Sequence, residues 1–179
     1  MAPGSRVAPA AAVAEEETCR TASPEETGAV GARLAQRLRR GDVVAFSGDL
    51  GAGKTCMIQG LCAALQVTDT VNSPTFVLIN HYRGRLPGEA GRERDGEVTV
   101  YHFDLYRLSG AEELLDLGAE EIFAAGGLCL VEWAERGAAV LPLPRWEVQL
   151  EHRGERQRQI TCRRLAPAAG ESFNVEARA

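Results

Sequence analysis

The stretch Val43-Val44-Ala45-Phe46-Ser47-Gly48-Asp49-Leu50-Gly51-Ala52-Gly53-Lys54-Thr55 decides the fold. Its first four residues form a short apolar run of the kind that suits a strand covered on both faces. From Gly48 to Thr55 the residues fit G-x-x-x-x-G-K-[ST]. Thr55–Leu65 then reads as a helix with Ile58, Leu61, Cys62 and Leu65 inward. A buried strand, a glycine-rich turn and an amphipathic helix, in that order, are the context in which this motif holds a nucleotide. The glycines let the backbone curl so that successive N–H groups point at phosphate oxygens. The start of the helix adds its positive dipole end. Lys54 reaches the β- and γ-phosphates as a compact charge, and the Thr55 hydroxyl ligates Mg²⁺. Lys54 is also the only lysine among 20 basic residues; a broad guanidinium in its place would not fit.

Working outward, Ser23-Pro24-Glu25-Glu26 is a capping box with proline at the first helical position. Val30, Leu34 and Leu38 continue that helix on one face, Arg37, Arg39 and Arg40 complement its negative end, and Gly41 stops it. Phe76–Tyr82 and Val98–Phe103 read as strands, and the polar stretch 83–97, with Arg83, Arg85, Arg92 and Arg94, as an exposed loop or hairpin tip. Glu112–Leu117 and Glu120–Ala124 are short helices, and Leu128–Val131 is a second buried strand. Trp146–Leu150 and Gln159–Cys162 alternate around Arg153-Gly154-Glu155 as a C-terminal antiparallel hairpin. The expected class is α/β: a P-loop NTPase-like, mixed but mainly parallel sheet sandwiched between helices. Residues 21–165 form the domain, 1–20 a disordered N-terminal extension and 166–179 a frayed tail.

Composition narrows the function. With 45% hydrophobic and 25% charged residues the chain is ordinary for a globular protein. No apolar run approaches the roughly 20 residues of a membrane-spanning helix. A net charge of −5 argues against passive binding to DNA, RNA or anionic membrane. The five cysteines are odd in number and lack metal-ligand spacing, so neither a disulfide framework nor a zinc site is indicated, and a reducing cytoplasm fits. A single lysine rules out the Asn-Lys-x-Asp signature of guanine-specific proteins and favours adenine. For the acid that completes a magnesium site, two residues compete. Glu132 ends the Leu128–Val131 run, and Asp104 ends the Val98–Phe103 run.

Gly48–Thr55, Ser73-Pro74-Thr75-Phe76, His102-Phe103-Asp104-Leu105-Tyr106-Arg107-Leu108, Glu112-Glu113-Leu114 with Leu117-Gly118, and Glu132-Trp133 occur in this order. Together they closely resemble the TsaE (formerly YjeE) family, the bacterial ATPases required for threonylcarbamoyladenosine in tRNA, over roughly residues 21 to 165. The resemblance implies that Asp49, Leu50, Gly51, Ala52, Gly53, Lys54, Thr55 and Thr75 bind ATP. Thr55 and Glu132 bind Mg²⁺, and Lys54 and Asp104 serve hydrolysis, Asp104 in a switch-like segment. Trp133 adjoins the site or is a plain core aromatic. It further implies a TsaB–TsaD partner, with tRNA engaged only indirectly, through transfer of threonylcarbamoyl to adenosine 37 of tRNAs reading ANN codons. The family member is not itself the transferase. The long 83–97 loop and the N-terminal extension depart from the family pattern.

The resulting expectation is a weak Mg-dependent ATPase whose turnover is completed by its partner, with Arg107 as a candidate for that completion. A small-molecule P-loop kinase is the rival; it would need an arginine-bearing lid, for which only the 83–97 loop is available. A nucleotide-gated binding module that scarcely hydrolyses ATP is the third reading.

Overall fold

The computed structural model describes residues 10–87 and 96–168. Its strands are β1 (Ala11–Thr21), β2 (Val43–Ser47), β3 (Ile79–Arg85), β4 (Glu97–Asp104), β5 (Leu128–Glu132), β6 (Arg145–His152) and β7 (Arg158–Pro167). They form one sheet in the order β1-β7-β6-β2-β5-β4-β3. The helices are α1 (Pro24–Ala35), α2 (Lys54–Ala64), α3 (Ala111–Asp116) and α4 (Ala119–Ala124). No described helix is long and apolar enough to cross a membrane.

The pleat of the central strands sorts their side chains onto two faces. Val44 and Phe46 of β2, with Leu128 and Leu130 of β5, join the core beneath α1 and α2. Val43 and Ala45, with Cys129 and Val131, join the core beneath α3 and α4. Continuous apolar runs are therefore the right composition for these strands, since both faces are covered. On the first face α1 and α2 meet backbone to backbone. A Cβ on Gly31 would lie 2.1 Å from the Met57 carbonyl oxygen, and one on Gly60 would lie 2.1 Å from that of Gly28. Glycine is required at that crossing for want of space.

The parallel character is confined to the centre. Among the described residues β2–β5, β2–β6 and β4–β5 pair parallel, while β1–β7, β6–β7 and β3–β4 pair antiparallel. The sheet is thus evenly mixed rather than mainly parallel: the consecutive pairs β3–β4 and β6–β7 are antiparallel, and β1, from the other end of the sequence, adds antiparallel to β7.

Several boundaries differ from the sequence reading. Residues 11–20, expected to be disordered, form most of β1, which pairs antiparallel with β7 along its length. Ala166 and Pro167, assigned to a frayed tail, are the last residues of β7; residues beyond 168 lie outside the described ones. Phe76 and Val77 are not in a strand. They sit in an exposed turn, and β3 begins only at Ile79. Arg83 and Arg85 belong to β3, whereas Arg92 and Arg94 fall outside the described residues. The cap of α1 is as expected at Ser23, whose Oγ accepts from the Glu26 N–H at 3.2 Å. The Glu26 carboxylate reaches one residue further back, accepting from the Ala22 N–H at 2.7 Å. The helix closes at Ala35, so Arg37, Arg39 and Arg40 follow it rather than occupy its last turn.

Candidate functional site

The site gathers at the carboxyl ends of β2, β4 and β5. After Ser47 the chain turns through Gly48 at φ +136°, where a Cβ would lie 2.3 Å from the Leu150 carbonyl oxygen. It enters α2 from Gly53 at φ +105°, a conformation that L side chains resist. These two glycines bring the first turn of α2 against the end of β5.

Lys54, only 4% exposed, folds back onto its own loop. Its Nζ donates to the carbonyl oxygens of Gly48 at 2.6 Å and Asp49 at 3.0 Å, and lies 3.7 Å from the centre of the Trp133 ring. Burial pushes the Lys54 ammonium below the ordinary lysine value, while Glu132, Glu135, Asp104 and Asp49 pull it back up. The charge is held by carbonyl dipoles, a ring face and surrounding carboxylates, all of which an incoming phosphate can replace or supplement.

Asp104 and Glu132 are register partners, each the last residue of its strand, and each is 3% exposed. Their surroundings differ. The Thr55 hydroxyl donates to the Glu132 carboxylate, with Oγ1 2.8 Å and 3.1 Å from its two oxygens, and His102 Nε2 lies 2.9 Å from Oε1. Asp104 instead takes hydrogen bonds from loop residues: Ser73 Oγ, Thr75 Oγ1 at 2.9 Å, and the Tyr106 N–H at 2.9 Å. Thr55 and Glu132 form an oxygen-only pair beside the loop. That is the donor type Mg²⁺ takes, one or two protein oxygens with the remaining positions left to phosphate and water. No cluster of three or more His, Cys, Asp or Glu able to hold a metal occurs among the described residues.

A cavity of about 430 Å³ is lined by Leu50, Gly51, Gly53, Lys54, Thr55, Thr75, Asp104 and Glu132, together with Trp133 and others. Most residues singled out from the sequence therefore meet in one place. Asp49 contributes its carbonyl to Lys54 while its side chain is exposed, and Ala52 is packed into the core. A second cavity of about 600 Å³ lies on the other side of the loop, between the Ser23–Glu25 cap and Arg156 and Arg158. Gly51, Gly53 and Cys56 line both. Arg107 is not in the site; its guanidinium stacks 4.6 Å above the Phe76 ring.

Sequence reasoning missed Ser73, His102 and Tyr106 as parts of the site. All three stand in motifs already singled out; the β4–β5 register supplies the contact of His102 with Glu132, and the fold of the segment before β3 supplies that of Ser73 with Asp104. The adjacency of Tyr106 to Trp133, with ring centres 5.0 Å apart, had no local signal.

The fold and site define a mixed α/β protein built around a glycine-rich strand-to-helix loop, with a buried lysine and a hydroxyl–carboxylate pair at its mouth. A family model described as "Threonylcarbamoyl adenosine biosynthesis protein TsaE" matches residues 21–160, and the chain belongs to this family. It is 40% identical over 142 residues to the tRNA threonylcarbamoyladenosine biosynthesis protein TsaE of Bacillus subtilis, covering 79% of this chain and 82% of the relative. To the protein of the same name from Treponema pallidum it is 36% identical over 143 residues, covering 80% and 97%. The solved crystal structure of Bacillus subtilis YdiB superposes with a TM-score of 0.66 at 34% identity, covering 84% of this chain and 86% of that one.

Proposed function

We propose that this chain is an Mg-dependent P-loop ATPase that works with the TsaB–TsaD complex to form threonylcarbamoyladenosine at position 37 of tRNAs reading ANN codons. The observation that carries the reading is the convergence of Lys54, Thr55, Thr75, Asp104 and Glu132 on one cavity at the glycine loop. The names of its relatives support the biosynthetic role. Cytoplasmic action on tRNA through a protein partner accords with the acidic net charge of −5.

In this reading the triphosphate lies along the Gly48–Thr55 backbone, and the nucleoside extends past Gly51 and Cys56 toward Arg156 and Arg158. Lys54 gives up its loop carbonyls for phosphate oxygens, so its charge is available without recruiting a distant side chain. Thr55 and Glu132 hold Mg²⁺, which when bound neutralises charge on the β- and γ-phosphates. Trp133 covers Lys54 and limits water around it. Asp104 orients the attacking water or passes on a switch movement. Its Oδ2 accepts from Ser73 and Thr75 and its Oδ1 from the Tyr106 N–H, which leaves Oδ1 able to accept again and ties the acid to the 73–75 segment. That tie gives a partner that moves the 73–77 segment a route to the acid, in keeping with acceleration of turnover in the complex.

The test is ATP turnover with and without TsaB–TsaD, with capture of the complex in the presence and absence of ATP. Slow turnover alone, stimulation by the complex and nucleotide-dependent capture are expected. Fast turnover indifferent to the complex, or phosphoryl transfer to a metabolite, contradicts the proposal.

A further inference from the structure

Glu132 has one side-chain partner outside the glycine-loop helix, and that partner is completely buried. His102, at 0% exposure, stands two residues before Asp104 on β4, and the parallel register sets it opposite Leu130. By the pleat it projects to the same face as Asp104 and Glu132. Its Nε2 is 2.9 Å from Glu132 Oε1, while its Nδ1 is buried without any hydrogen-bond partner. An ionised carboxylate only accepts, so the ring hydrogen in this contact is on Nε2. In the neutral ring Nδ1 is then the bare nitrogen, and no N–H is left buried and unpaired.

Thr55 has a single hydroxyl hydrogen, and it is given to Glu132. When the Thr55 oxygen ligates a metal, that hydrogen can still point at the carboxylate, but the hydroxyl's position is then set by the metal. His102 is the contact that does not depend on the ligand. It lies in the rigid sheet, at the base of the carboxylate. We infer that His102 is a positioning residue: its Nε2–H fixes the Glu132 carboxylate in the orientation that meets Mg²⁺ beside Thr55. A hydrogen bond from a buried donor orders the carboxylate, and loss of such outer partners typically weakens metal affinity by about 10–100-fold. The inference rests on the proposed metal role of Glu132.

Calorimetric titration of ATP into wild type, His102→Ala, His102→Gln and Glu132→Ala, each with Mg²⁺ and with chelator, tests it. His102→Ala is expected to lower affinity by about 10-fold or more in Mg²⁺ and by less than about 2-fold in chelator. His102→Gln, whose amide can donate to Oε1, is expected to recover most of the loss. If His102→Ala does not fold, His102→Leu, which fills the space without a donor, supplies the same contrast with Gln. Equal losses with and without Mg²⁺, no loss, or no rescue by Gln overturns the positioning role. If those results come with a clear magnesium-specific loss in Glu132→Ala, only this inference fails. If Glu132→Ala itself keeps normal magnesium dependence, the metal role fails and takes the inference with it.

Discussion

The end of β5 and the length of β1 both depend on charged groups, in opposite ways. Every residue of β5 is buried, and its terminal carboxylate is held by a hydroxyl and an imidazole. β1 is exposed along almost all of its length and buries only Thr21. Apart from its ladder with β7, it is tied down by ion pairs: Glu16 to Arg163 at 2.5 Å, Glu17 to Arg37 at 3.4 Å, and Glu15 to Arg37. Exposed pairs of this kind contribute about 0–1 kcal/mol each and are screened by salt. A buried carboxylate stripped of a partner costs about 3–5 kcal/mol. Charge at the sheet edge is therefore an interchangeable adhesive, while charge at the sheet centre is fixed by buried partners, as the proposed ligand role requires.

The largest effect that would sharpen this contrast is at Lys54. Lys54→Ala is expected to weaken ATP binding by at least about 100-fold, close to 3 kcal/mol, as read by polarisation of a fluorescent nucleotide. Asp104→Asn is expected to slow single-turnover hydrolysis by about 10-fold or more while leaving ATP affinity within about 3-fold, because in the proposed function the acid orients water or relays a switch movement and does not hold the phosphates. The pH response of binding follows from burial of Lys54. Desolvation favours the neutral amine, so the charged form is lost at lower pH than in an ordinary lysine. Affinity for nucleotide should accordingly decline as pH rises, beginning at lower pH than an ordinary lysine would give, and Lys54→Ala should show no such decline. The smallest effect is at the edge. Replacing Glu15, Glu16 and Glu17 together by Gln should cost about 1–2 kcal/mol in denaturant unfolding, less at high salt, with ATP affinity within about 2-fold. A large fall in affinity in that variant would break the comparison, since the edge would then be supporting the site.

The same contrast explains what could be read from the residues alone. β2 and β5 announce themselves as continuous apolar runs because both their faces are covered, and the loop between β2 and α2 carries its chemistry in adjacent positions. Glu132 and Asp104 were visible as strand-ending acids for the same reason. β1 was not, since Ala11–Thr21 runs from an alanine-rich start into three consecutive glutamates without apolar alternation; it is a strand because β7 offers it a partner. Phe76 and Val77 misled in the other direction. Their composition suits a strand, yet Ser73 and Thr75 are anchored to Asp104 and Leu78 turns at φ +66°, so the segment cannot extend until Ile79. Leu38 has the helical spacing of Val30 and Leu34 and is buried, but it reaches the core from beyond the end of α1. His102 looked like one polar residue in an apolar strand, and only the register of β4 against β5 shows that it meets Glu132.

Calorimetric titration of ATP into the wild-type chain in buffer containing Mg²⁺ addresses the central claim most directly. The account predicts a saturable isotherm of one nucleotide per chain that disappears in Lys54→Ala. A flat wild-type titration, or an isotherm unchanged by Lys54→Ala, would contradict it.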